Sequence, residues 1–288
     1  MKLLKLIRYD FGYNRSANRL RWLLTAALFS LLFLAFSLDV LHWWWFDPAV
    51  GRSLANINVV GLSFGDVVMT EMGGELPMAL TSLEDTYLFP IKWFLPHILI
   101  LYFTLNYAKN DLVHGGIQVL TRVKNRQLWW ISKCIWNIVT VVSCFALGVA
   151  TLFAWTAATG KELLFKLNPD LFSCVMREAL PGQTATAGTY FLALCVMPCV
   201  VCVAVSLLQM CLSLVVKPVY AYTTACIYYI AGAYYAHPLL ISNYSMGVRS
   251  AAVGFYNFYP SIGLITCLVL SLTAILAGAV FLERMDLH

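Results

Sequence analysis

No charged residue interrupts the chain between Tyr190 and Val216, between Val219 and Ala236, or between Ile262 and Leu282. About 20 residues at 1.5 Å each carry a helix across the ~30 Å hydrocarbon core of a bilayer. Inside that core every backbone donor and acceptor must be paired, which leaves helices or a closed barrel. These runs are continuously apolar rather than alternating, so they are helical. Composition agrees. Hydrophobic residues make up 61% of the 288 and charged residues 11%, against roughly 25% charged in soluble domains.

Six runs are expected to span: Trp22–Leu41, Phe89–Tyr107, Ile131–Trp155, Tyr190–Val216, Val219–Ala236 and Ile262–Leu282. Lys92 lies near the end of the second, where it can snorkel. Pro198 interrupts the fourth. Only Lys217–Pro218 separates the fourth from the fifth; one helix over Tyr190–Ala236 would be about 70 Å long, so a tight turn is placed there. The expected fold is all-α, a polytopic membrane protein of six transmembrane helices. The first run reads as a permanent span rather than a cleaved leader.

Basic residues orient such a chain. With the N-terminus inside, thirteen of the 19 lysines and arginines fall on the inner side, which predicts both termini in the cytoplasm. The net charge of +5 is scattered over several loops and forms no nucleic-acid-binding face. The whole chain, 1–288, reads as one transmembrane domain. Residues 1–21 form a basic interfacial helix facing membrane lipid, and 42–88 an outer loop opening on Trp43, Trp44 and Trp45. Residues 109–133 form a cytoplasmic loop and 156–189 a second outer loop with a short helix near Pro169–Leu180. Residues 238–261 form an outer semi-polar segment. Asn243-Tyr244-Ser245 fits a glycosylation pattern of little weight.

The sequence carries no P-loop and no His-Glu-x-x-His pattern. Cys195, Cys199 and Cys202 share a helix face, but no histidine or carboxylate accompanies them, so they read as packing residues. His97 reads as a packed or hydrogen-bonded histidine. No catalytic, cofactor or metal site is therefore expected. Spans almost free of central charge weigh against ion coupling.

The loop after the second span is more than a turn. In Gly115-Gly116-Ile117-Gln118-Val119-Leu120-Thr121-Arg122-Val123-Lys124-Asn125-Arg126, the residues Ile117, Leu120 and Val123 make an apolar stripe at helical spacing. Trp129 and Trp130 mark re-entry into the membrane, and Lys133 closes the element. This Gly115–Lys133 pattern resembles the first cytoplasmic loop of ABC-2-type transporter permeases, as do the six expected spans and the basic N-terminal helix. His114 stands where an acidic residue often precedes the glycine in that family. The resemblance implies a permease subunit of an ATP-driven exporter, forming its pathway with a second or related permease. It also implies cytoplasmic ABC ATPase subunits that engage Gly115, Gly116, Ile117, Leu120, Arg122, Val123, Arg126 and Lys133. A membrane-embedded enzyme, or a non-transporting immunity or sensor protein, is the alternative.

Overall fold

A computed structural model of the chain describes residues 2–13, 15–46, 62–77, 89–112, 126–176, 180, 185–254 and 256–284. Their regular secondary structure is helical apart from two isolated bridges, Ser63 with Glu162 and Ser250 with Phe258. The helices are α1 (Lys2–Tyr13), α2 (Arg15–Phe46), α3 (Phe64–Met72), α4 (Ile91–Thr104), α5 (Tyr107–Asp111), α6 (Arg126–Ala158), α7 (Pro169–Met176), α8 (Ala187–Val215), α9 (Pro218–Tyr234) and α10 (Pro260–Arg284).

Local chemistry explains several boundaries. Three helices, α7, α9 and α10, begin on a proline; the missing amide costs nothing in a first turn, where it would have no partner. Ser63 caps α3 in a reciprocal box with Asp66, satisfying two amides the first turn would otherwise orphan. Pro198 has no amide to donate back along α8. The preceding residues, Leu192–Val196, widen into a π turn, which absorbs the fault without ending the helix.

Among the described residues four helices are long and apolar enough to cross a membrane: α2 over Asn18–Val40, then α6, α8 and α10. This makes the chain a polytopic, largely helical membrane protein, and it corrects the expected six spans. The run expected as the second span holds only the 14-residue α4, about 21 Å long. It breaks at Leu105 and Asn106 before α5 resumes at Tyr107. The run expected as the fifth holds the 17-residue α9, which ends in extended backbone at Tyr235 and reaches about 26 Å. Hydropathy scored the apolar content of these runs without seeing where their helices stop. The turn expected at Lys217–Pro218 is present: Val216 and Lys217 are extended between α8 and α9.

Side-chain pairs fix the directions. Arg21 lies over the Trp136 ring at 5.0 Å, and Phe33 stacks on Trp155. Between them Gly148 meets Phe29, so α2 and α6 run the same way. The chain returns between them through α4 and α5. α8 runs against α6, with Ser206 bonded to Asn137 at 2.7 Å. α10 ends beside the start of α6, where Arg126 Nη1 donates to Leu282 O at 3.0 Å. The start of α6, α1 and the end of α10 thus share one face of the bundle, the near face. The opposite, far face carries α3, α7 and the segment between α9 and α10.

One apolar core runs from the far face through Trp93, Phe145, Tyr229 and Met246; a smaller one on the near face gathers around Trp129, Trp130 and Met210. The α2–α6 contact is close because position 148 has no side chain: a Cβ there would lie 2.4 Å from the Phe29 ring. Gly148→Val should therefore destabilise the protein by about 1–3 kcal/mol through overpacking. Thermal melts in detergent check this, and an unchanged midpoint would mean the two helices separate freely.

Candidate functional site

The near face holds an unusual buried charge cluster. Lys133 lies one turn into the apolar part of α6, and its side chain is 1% exposed. Its ammonium donates to Asp10 Oδ1 of α1 at 2.5 Å and sits 2.8 Å from Asp111 Oδ2, the last residue of α5. Its third donor direction reaches the Tyr107 hydroxyl at 3.4 Å. The same ammonium stands 4.8 Å from the Tyr107 ring centre and 5.2 Å from that of Trp129. Ser132 Oγ donates to Asp10 Oδ2, and Trp129 Nε1 to Asp111 Oδ2. A lysine taken out of water this far is tolerated because opposite charge and aromatic faces replace its hydration.

This cluster stands at both ends of the segment singled out in the sequence. Asp111 precedes Gly115–Lys133; Trp129 and Lys133 lie at its closing end. Gly115, Gly116, Ile117, Leu120, Arg122 and Val123 lie outside the described residues. The two remaining positions face the bundle. Arg126 also bonds Glu283 O at 3.3 Å, which ties the start of α6 to the end of α10. Lys133 is sealed between Asp10 and Asp111 and offers no surface to a partner. Sequence reasoning missed Asp10, Asp111 and Tyr107. The signal was present: a lysine two residues into an apolar run requires a buried counter-charge, and Asp10 is the one acid in the basic N-terminal helix.

The far face carries a second trio. Lys92, at the start of α4, contacts Asp39 Oδ2 of α2 at 2.5 Å and Glu71 Oε1 of α3 at 2.7 Å. The expected snorkelling of Lys92 is replaced by these two carboxylates. The trios sit at opposite ends of α2: from Arg21 to Asp39 is about 27 Å along the helix, close to one hydrocarbon thickness.

Elsewhere on the far face, Asp66 Oδ1 accepts from Asn168 N at 2.7 Å, fastening α3 to the segment leading into α7. Burial pushes the Asp66 carboxyl above its ordinary range, with hydrogen bonds from Asn168 and Ser63 opposing. Asn243 is fully buried, its amide donating to Tyr235 O and His237 O, so the Asn-Tyr-Ser pattern presents no acceptor at the surface. His97 is packed among Trp93, Phe145 and Tyr229, its Nδ1 2.7 Å from Trp93 O. Among the described residues no group of three histidine, cysteine or acidic side chains is placed to hold a metal.

Residues 53–288 match the family described as "Protein of unknown function (DUF2705)". No curated protein and no solved structure matches the chain.

Proposed function

The chain belongs to the DUF2705 family, and we propose that it is the permease subunit of an ATP-driven exporter, paired with a second or related permease. In this reading the near face is cytoplasmic, both termini lie inside, and separate ATPase subunits dock on residues 115–126. The observation that carries it is the Asp10–Lys133–Asp111 clamp. A docking loop transmits force only if its ends are fixed to the parts that move. Here both ends of the loop are fixed to one buried charge cluster that also holds α1 and opens α6. A displacement of the loop would pass to α1, α5 and α6 together. The Ile117, Leu120 and Val123 stripe supplies the apolar contact, with Arg122 at its rim.

Leu120→Asp tests the reading. A carboxylate forced into a docked apolar face costs several kcal/mol, and ~1.4 kcal/mol is already tenfold in binding. The variant should reach the membrane in normal amount, since no span changes, yet lose at least tenfold in ATPase co-purified per permease and in substrate-stimulated hydrolysis. Arg122→Ala should act more mildly. If Leu120→Asp keeps both at wild-type level, or if no ATPase co-purifies with the wild type, the exporter assignment fails.

A further inference from the structure

Glu71 is wholly buried, and its two carboxylate oxygens are treated differently. Oε1 takes the Lys92 ammonium at 2.7 Å; Oε2 is buried and has no hydrogen-bond partner among the described residues. Lys92 is shared with Asp39, so two carboxylates answer one cation and the trio carries an uncancelled negative charge. Asp39 and Lys92 are partly exposed, at 40% and 29% of their side chains, and give the trio a route to solvent. The charges that bear on Glu71 are Lys92 from α4 and Asp39 from α2. Arg249, on the turn packed against α3, directs its donors to Glu75 O, Gly232 O, Ala233 O and Asn243 Oδ1. Asp170 of α7 is exposed, while Cys144 of α6 and Cys195 of the π turn are buried in the core.

We propose that Glu71 is a proton-binding site, with Oε2 as the acceptor, and that the bound proton keeps α3 seated against α2 and α4. The proton comes from solvent by way of Asp39 and Lys92; no other bond is made or broken. Burial lifts the Glu71 carboxyl to about 7, with Lys92 opposing and Asp39 assisting. An opened α3 would return Glu71 to water and to its ordinary value of 4.5. The seated form therefore binds the proton more tightly than the open form. By linkage, protonation favours the seat, and raising pH from 4.5 through 7 progressively releases it. α3 is a nine-residue helix outside the four long spans, and the opening meant here is local to it.

The test is an infrared titration of the full chain in lipid nanodiscs, followed by hydrogen exchange. A protonated-carboxyl C=O band should appear on acidification with a midpoint near neutral pH and be absent from Glu71→Gln. Lys92→Met, which removes the opposing cation, should move the midpoint to higher pH. In the wild type, opening of the α3 amides, corrected for intrinsic exchange, should rise on the order of tenfold to a hundredfold between about pH 5 and about pH 8. In Glu71→Gln the rise should be clearly smaller, what remains belonging to Asp66, the other buried carboxyl of α3. A wild type with no carboxyl band titrating in that range overturns the proposal without reference to any variant. So does a band that survives Glu71→Gln, or α3 exchange with the same pH dependence in both proteins.

Discussion

Lys133→Met is expected to be among the most damaging single substitutions in the chain. It leaves the length and apolar stem of the side chain nearly intact, so packing against Tyr107 and Trp129 survives. What it removes is the one ammonium between two buried carboxylates, Asp10 at 1% and Asp111 at 6% exposure. Breaking a buried ion cluster by deleting one partner costs about 3–5 kcal/mol, because the remaining charges stay in a low-dielectric site. The variant should melt earlier in detergent, and α1 should come loose from α6, seen as faster proteolysis ahead of Arg15. The companion Asp10→Asn/Lys133→Met/Asp111→Asn removes all three charges together and should recover much of the loss, since a neutral set of similar volume is often no worse than the ionic one. A wild-type melting curve for Lys133→Met would show that the cluster contributes nothing. Failure of the triple variant to improve on the single one would show that packing, not charge, is at stake.

Much of this architecture is legible in the sequence, and the parts that are not share a cause. Charge-free runs disclose α2, α6, α8 and α10, because a lipid-facing helix must be apolar along its whole length. Lys217–Pro218 discloses the turn between α8 and α9 through the proline's missing amide. Leu105–Asn106 carries no such mark, so α4 and α5 read as one span. The charge clusters are hidden for another reason. Lys92 is far in sequence from both Glu71 and Asp39, and Asp10 is more than a hundred residues from Lys133. No local spacing records such pairs; only the demand that a cation in an apolar run find a carboxylate points to them. The near-face site was half legible. The stripe and the basic residues of 115–126 stand out by periodicity, while the clamp that holds the segment's ends is assembled by the fold.

Arg249→Met should be comparably severe on the far face, for a reason that involves carbonyls more than charge. Arg249 is fully buried and its planar fork points in three directions at once. Nε donates to Glu75 O at 2.8 Å, Nη2 to Ala233 O at 2.5 Å, and Nη1 to Gly232 O at 2.5 Å and to Asn243 Oδ1. Gly232 and Ala233 belong to the last turn of α9, whose carbonyls have no amide ahead of them to accept from. The guanidinium thus finishes α9, holds the chain after α3, and orients the buried Asn243 in one stroke. Methionine fills much of the same volume but leaves these acceptors dry. At about 1–3 kcal/mol for each unsatisfied group, and allowing for relaxation, the loss should reach at least ~3 kcal/mol. Arg249→Lys should fall between the two, because a single ammonium keeps the charge without spanning acceptors set that far apart. Thermal melts give the size of the effect, and hydrogen exchange gives its place: the last turn of α9 and residues 237–250 should lose protection while α6 and α8 keep theirs. If Arg249→Met melts within about 1 kcal/mol of the wild type, or Arg249→Lys matches it in full, the fork is not what closes this face.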